Sequence, residues 1–257
     1  MSVKYLVALL AWTMPVVAWL SNAKIFGPTN GEISDRYPTL IVAAGYAFSI
    51  WGAIFLLDVL YATRQMLEPP ADVRLERTRP WASLAFAMTS LWMIAFTLQF
   101  FWTALAIIWI SLASILRAAW HVAHTAQHAR GPWWQWIPLS LHAGWVSLAV
   151  FLNVAQVIVA FQLLPVADML PWTLALFAVA ALLVLTALAG MRGNWVYALA
   201  AIWGLIGVYV KQSHSQLSGA NVAADAALAL AFAVCAISLL CSWRYRRLRH
   251  EPLRSSA

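Results

Sequence analysis

Hydrophobic residues run through this chain in blocks of about 20, and blocks of that length match the hydrocarbon thickness of a bilayer. Eight are predicted as membrane-spanning helices, over residues 3–21, 40–62, 81–98, 101–120, 136–161, 171–190, 195–210 and 223–243. The third and fourth nearly abut. One helix over residues 81–120 would be about 60 Å long, twice what a crossing needs, so a tight interfacial turn is placed at Gln99. The second block departs most from a plain lipid-facing pattern. Tyr46, Ser49 and Trp51 lie well inside it, where unpaired polar groups are costly. Gly45 and Gly52, two helical turns apart on one face, offer close approach to a neighbouring helix or a flat ligand.

The polar segments between blocks are short. Residues 64–80 mix Arg74, Arg77 and Arg79 with Glu68, Asp72 and Glu76 and read as a solvated connector. Residues 22–38, with Gly27-Pro28, Asn30-Gly31, Glu32 and Asp35, read as a plain connector, the alternative being a lid over the outer end of the bundle. The first block has only Lys4 before it and no small-x-small cleavage site after it, so it is kept as a helix instead of a signal peptide. Residues 1–243 are expected to form one transmembrane domain and 244–257 a basic cytoplasmic tail.

Charge orients this array. With the N-terminus cytoplasmic, thirteen Lys and Arg residues fall in inner segments and three, Lys24, Arg36 and Lys211, in outer ones. Merging the third and fourth blocks would move Arg117, Arg130 and Arg192 outside, against the positive-inside rule. The fold class is therefore all-α, a polytopic membrane bundle of about eight helices with both termini cytoplasmic. The net charge of +7 reflects this loop bias. The tail Arg244-Tyr245-Arg246-Arg247-Leu248-Arg249-His250 suits anionic lipid headgroups, and no nucleic-acid partner is expected. At 63% hydrophobic and 10% charged residues, a soluble single-core domain is excluded. Cys235 and Cys241 share the last block on opposite faces, which argues against a disulfide.

Ten of the sixteen tryptophans fall at block ends, where the aromatic belt accounts for them. Trp12, Trp51, Trp92, Trp109, Trp145 and Trp203 lie deeper. Such indoles either fill gaps between helices or offer stacking area and an N–H to a planar ligand. In the fifth block His142 and Trp145 share a face, as do Asn153 and Gln156; interhelical glue and ligand contact are both open to them. Asp58, near the cytoplasmic end of its helix, reads as snorkelling or pairing with Arg64 or Arg117. His121, His124 and His128 have a spacing that can hold a metal. They lack an acidic partner and run into Gly131-Pro132, so no metal site is assigned. His142 is the one histidine placed inside the bundle, which argues against bis-histidine haem ligation. No nucleophile elbow, phosphate-binding loop, dinucleotide fingerprint or CxxC is present, and no catalytic residues are assigned.

Three segments carry a family resemblance. The first is Gly45-Tyr46-Ala47-Phe48-Ser49-Ile50-Trp51-Gly52-Ala53-Ile54-Phe55. The second is Ile137-Pro138-Leu139-Ser140-Leu141-His142-Ala143-Gly144-Trp145-Val146-Ser147-Leu148-Ala149 with Asn153. The third is Tyr197-Ala198-Leu199-Ala200-Ala201-Ile202-Trp203-Gly204-Leu205-Ile206-Gly207-Val208 with Lys211-Gln212. In order and spacing the chain resembles the TspO/MBR group, the tryptophan-rich sensory proteins related to translocator protein, in its long bacterial form. The resemblance implies a helical bundle enclosing a pocket for tetrapyrroles, sterols or similar flat apolar molecules. Two departures stand out: eight spans where the short form has five, and only Tyr37-Pro38 where the short form has a W-Y-x-x-L-x-K-P-x-W-x-P-P lead-in. Tyr46-Ala47…Trp51-Gly52 also echoes Tyr197-Ala198…Trp203-Gly204 as a weak internal repeat.

The leading expectation is a multi-pass protein of the bacterial inner membrane that binds or senses a flat lipophilic ligand, with porphyrin, haem or another tetrapyrrole as the possible ligand and no firmly assigned cofactor. The expected ligand set is Tyr46, Phe48, Ser49, Trp51, Trp92, Trp109, His142, Trp145, Asn153, Gln156 and Trp203. Alternatives are a transporter of a lipophilic molecule and a structural or assembly subunit of a pigment complex. Homodimerisation and a membrane-complex partner are open. An enzyme is the weakest option.

Overall fold

The computed structural model describes residues 2–68, 73–124 and 132–250, and among these every regular element is helical. The elements are α1 (Val3–Asn22), α2 (Asn30–Arg36), a 3-10 turn (Gly45–Ser49), α3 (Ile50–Leu67), α4 (Val73–Thr97), α5 (Phe101–His124), α6 (Trp133–Ala160), α7 (Leu170–Gly190), α8 (Trp195–Ser213) and α9 (Ala220–His250). Eight of these helical segments, the 3-10 turn counting with α3, are long and apolar enough to cross a membrane. The turn at Gln99 is where the charge bias required it. Gln99 adopts a positive φ of 61°, and the N–H of Phe100 reaches back to the Ala95 carbonyl at 2.9 Å, closing α4 so that α5 can reverse direction.

Helix adjacency organises the bundle into two rings that share α6. In the first, α1 packs on α3, α3 on α6, α6 on α5, α5 on α4 and α4 on α1. In the second, α6 packs on α8, α8 on α9, α9 on α7 and α7 on α6. With neighbours on both sides, α6 is the most buried span, so polar residues on almost any of its faces meet protein instead of lipid.

Close helix approach falls at glycines other than the pair expected. Gly45 and Gly52 have no atom within contact distance of an added Cβ. Instead, Gly144 of α6 lies against the Tyr197 carbonyl and Ala200 of α8, and Gly207 of α8 lies against Ala43 and Ala47. A Cβ at Gly144 would overlap backbone that cannot rotate away. Gly144→Ala is therefore expected to cost about 1–3 kcal/mol through overpacking, read as a lower unfolding midpoint in detergent. Gly52→Ala, with open space beside it, should leave that midpoint unchanged.

Two sequence expectations about the connectors are corrected. Arg79 is not part of a solvated loop: it is buried, because Gln65 and Arg79 bond each other across the α3–α4 connection. Arg79 Nε donates to Gln65 Oε1 at 2.7 Å and Gln65 Nε2 donates to the Lys4 carbonyl at 2.7 Å, tying α1, α3 and α4 together at the inner end. The outer segment after α1 is not a plain connector either. It contains α2, started by a capping box in which Thr29 Oγ1 accepts from the Glu32 N–H and Glu32 accepts from the Thr29 N–H, the reciprocal pairing that suits a helix start. Ile33 on α2 is fully buried, which anchors this segment over the end of the first ring.

Candidate functional site

The first ring encloses an aromatic chamber towards its outer end. The chamber is largely filled by its own side chains, leaving a cavity of about 30 Å³, and is lined by Phe48, Trp51, Trp92, Phe96, Trp145, Leu152, Asn153 and Gln156, with Asn30, Ser34 and Thr39 closing it from the outer segment. Trp51 is the centre of the ring contacts. Its indole stacks on Phe55 with centroids 5.3 Å apart and on Trp92 at 5.8 Å, and meets Trp145 edge to face at 6.1 Å. Phe48 meets Trp145 edge to face at 5.9 Å. A second, wider cleft of about 560 Å³, within the roughly 300–1,000 Å³ of small-molecule sites, shares Asn30, Phe48 and Trp51 with the chamber and lies between α1, α2 and the start of α3. Gly45, Ser49 and Gly52 line this cleft, so the two open glycines form a smooth wall in place of a helix contact.

The backbone that aims Phe48 is held by α8. Gly207 accepts a hydrogen bond from the Ala44 N–H at 2.9 Å. Gln212 Nε2 donates to the Thr39 and Val42 carbonyls at 3.1 Å each, and Trp203 Nε1 donates to the Ala47 carbonyl at 2.9 Å. The third motif of the sequence thus builds the chamber by bracing the 3-10 turn from behind.

The structure brings together six of the residues singled out in the sequence: Phe48, Trp51, Trp92, Trp145, Asn153 and Gln156 line one space. Ser49 lies at the neighbouring cleft. Tyr46 and Trp203 do not join them. They pack on each other edge to face at 5.5 Å on an exposed surface. Trp109 is also outside the chamber, 37% exposed and set against Phe151 at 5.9 Å. Trp12 faces outward from α1. Asn153 has both amide atoms engaged: Oδ1 accepts from Trp92 Nε1 and Nδ2 donates to the Ala149 carbonyl, each at 2.9 Å. It therefore fixes the Trp92 ring. By contrast, Trp145 Nε1 and Gln156 Nε2 are buried without a partner among the described residues, as is Asn30 Oδ1.

Beneath the chamber lies a buried polar string that sequence reasoning placed wrongly. Asp58 neither snorkels nor pairs with Arg64 or Arg117. It is fully buried, and its Oδ2 lies 2.8 Å from His142 Nδ1. His142 Nε2 lies 3.3 Å from Thr89 Oγ1, Thr89 Oγ1 lies 2.9 Å from Ser111 Oγ, and Ser111 donates to the Ala85 carbonyl at 3.4 Å. The donors close in one direction. Ser111, donating to a carbonyl, accepts from Thr89, and Thr89 then accepts from a protonated Nε2. A proton must also lie between Nδ1 and the carboxylate, so the pair carries no net charge. Two acidic and basic groups at matching depth on α3 and α6 would have suggested this pairing, but Asp58 stood too near the predicted helix end, which runs on to Leu67. His142 is stacked on Phe86 and meets the Trp51 ring edge to face at 5.8 Å. With both ring nitrogens bonded to protein, it positions Trp51 and has no free nitrogen to offer. His121 is described; the His124 side chain and His128 lie outside the described residues, and among the described residues no cluster suits a metal ion.

The outer segment is held by charge as well as by Ile33. Lys24 Nζ bonds Glu32 at 2.6 Å, and this contact, with the Thr29 backbone N–H, lowers the Glu32 carboxyl to about 2. A lowered carboxyl stabilises the folded arrangement fully above its ordinary value near 4.5, and that contribution disappears as pH falls towards 2. Protection of the α2 amides, exchange measured against the intrinsic rate at each pH, is expected to hold at neutral pH and to fall between about pH 4.5 and 2. Glu32→Gln should show the reduced protection already at neutral pH.

A polytopic helical membrane protein with an aromatic chamber enclosed by its own spans is the class these features define. Residues 4–242 match the family model for TSPO-like proteins, which covers nearly the whole chain. The chain belongs to that family. No curated protein and no solved structure matches it.

Proposed function

We propose that this protein is a binding or sensory protein of the bacterial inner membrane whose aromatic chamber, with the cleft beside it, receives a flat lipophilic ligand, a tetrapyrrole or a molecule of similar shape. The observation that carries the reading is the convergence of Phe48, Trp51, Trp92 and Trp145 beside a cleft of about 560 Å³ that Phe48 and Trp51 also line, where ring faces can stack on a planar molecule and burial of its apolar area supplies affinity at about 25 cal/mol per Å². Family membership supports it.

Sensing is favoured over transport by the layout of the first ring. The cleft and chamber lie at its outer end, while the Asp58–His142 pair, Phe86 and the Arg79–Gln65 tie fill the inner half. Binding would order the outer segment through Asn30 and Ser34 and report occupancy there.

Porphyrin titration with tryptophan-fluorescence quenching tests the reading. Saturable quenching is expected in wild type and in Trp203→Phe, whose ring lies outside the chamber. The same curve from a Trp51/Trp145 double replacement by phenylalanine would show that quenching arises elsewhere and would defeat the proposal.

A further inference from the structure

The inner end of the second ring carries a cationic patch that ligand binding in the first ring leaves unused. Its fixed point is the short connection between α7 and α8. The Gly193 carbonyl accepts from both Ser238 Oγ and Ser242 Oγ of α9, at 3.1 and 2.9 Å, which docks the connection onto that helix. Arg192, beside it, holds its guanidinium 4.6 Å from the centroid of the Tyr245 ring and donates from Nη1 to Tyr245 Oη at 2.8 Å. A guanidinium has five N–H donors, and the phenol takes one of them. The rotamer freedom that a loose surface arginine gives up on binding is therefore already lost here.

Exposed Arg244, Arg246 and Arg247 flank Tyr245 on α9. None of these four arginines has a carboxylate partner among the described residues. The nearest candidates by sequence lie elsewhere: Glu68, Asp72 and Glu76 belong to the stretch joining α3 to α4 in the first ring, Asp168 and Asp225 to the outer end, and Glu251 lies outside the described residues.

Depth and order along α9 point to the partner. Trp195 and Trp243, each 50% exposed, mark the level of the bilayer interface, and the arginines follow within four residues of one or the other. Leu239, Trp243 and Arg246 share one face of α9 at i, i+4 and i+7, as Leu240, Trp243 and Arg247 do at i, i+3 and i+7, and all five are exposed. The Arg247 guanidinium stacks over the Trp243 ring at 3.9 Å. Passing inward, this face is apolar, then aromatic, then cationic. An acyl chain, an ester region and a phosphate follow the same order. A free phosphate or a nucleic acid would match the charge alone. A zwitterionic headgroup adds an ammonium, which would meet only arginines here.

We propose that the α7–α8 connection and the inner end of α9 form a binding site for an anionic phospholipid of the inner leaflet, with Arg192 as its preorganised phosphate contact and Arg246 and Arg247 completing it. The site is separate from the aromatic chamber and does not depend on what binds there. It also differs from the general attraction of a basic tail to a charged membrane, which would draw equally on Arg254.

Lipid titration of the full chain in dodecyl maltoside, read by native mass spectrometry, tests this with dioleoyl-phosphatidylglycerol and dioleoyl-phosphatidylcholine. In wild type the first phosphatidylglycerol should bind about tenfold tighter than phosphatidylcholine, as for the gain of one charge-assisted hydrogen bond. Arg192→Gln should lower phosphatidylglycerol affinity about tenfold and leave phosphatidylcholine within about twofold, which also shows that the variant is folded. Arg246→Gln, at an exposed position, should lower it severalfold, and Arg254→Gln should change neither lipid. Inorganic phosphate in large excess should not displace the phosphatidylglycerol. Equal affinity for the two lipids, an Arg254→Gln loss matching that of Arg192→Gln, or displacement by inorganic phosphate overturns the site.

Discussion

His142→Leu is expected to destabilise the protein by about 3–5 kcal/mol, because it leaves the Asp58 carboxyl buried at the centre of the first ring with its partner gone. In wild type Asp58 Oδ2 shares a proton with His142 Nδ1 at 2.8 Å, and Asp58 is fully buried. Removal of the imidazole also strands the Thr89–Ser111 end of the string, whose hydroxyls lie 2.9 Å apart. The unfolding midpoint in detergent should fall by about 10 °C on the scaling for chains of this size. The double variant Asp58→Leu/His142→Leu removes both polar partners together and should recover most of the loss. A single-variant loss of less than about 1 kcal/mol would show that solvent reaches the pair and that the neutral, dry string described above is wrong.

The second large effect concerns affinity. Trp51→Ala is expected to weaken porphyrin binding about a hundredfold. An indole buries about 150–250 Å², and if a ligand covers half of it, the lost contact is about 2–3 kcal/mol at 25 cal/mol per Å². The loss also propagates, since Trp51 holds Trp92 by stacking at 5.8 Å and Trp145 by an edge contact at 6.1 Å. Trp109→Ala, removing a ring that packs on Phe151 outside the chamber, should leave affinity unchanged. Isothermal titration of a tetrapyrrole into nanodisc-embedded protein separates the two. Comparable losses in both variants would mean that the deep tryptophans act through general stability and not through a shared site.

The contrast between Trp51 and Trp109 shows why depth in the sequence was an incomplete guide. Both are mid-span indoles, and hydropathy assigns them the same cost and the same appetite for a partner. Which one faces the ring is set by helix rotation, and that depends on neighbours far away in sequence. Tyr46 makes the point more locally. The chain enters its span through a 3-10 turn at Gly45–Ser49, braced by Gly207 and Trp203 of α8, and the tyrosine lies outside the chamber against Trp203. Asn153 and Gln156 were grouped by their shared face. The structure separates them by bonding: Asn153 is consumed in fixing Trp92, and Gln156 keeps a donor.

The sequence alone determined that this protein is an eight-span helical bundle with a tight reversal at Gln99, because bilayer thickness and loop charge act on composition and spacing, which need no knowledge of neighbours. It also carried the family, through motifs that lie on α3, α6 and α8. The tertiary structure decided the rest: the sharing of α6 between two rings, the folding of α2 over the outer end, the Asp58–His142 pair, and the six side chains that meet. Each of these is a contact between segments remote in sequence. A contact of that kind depends on which face of each helix turns inward, a rotation that an almost uniformly apolar helix does not encode in its own residues.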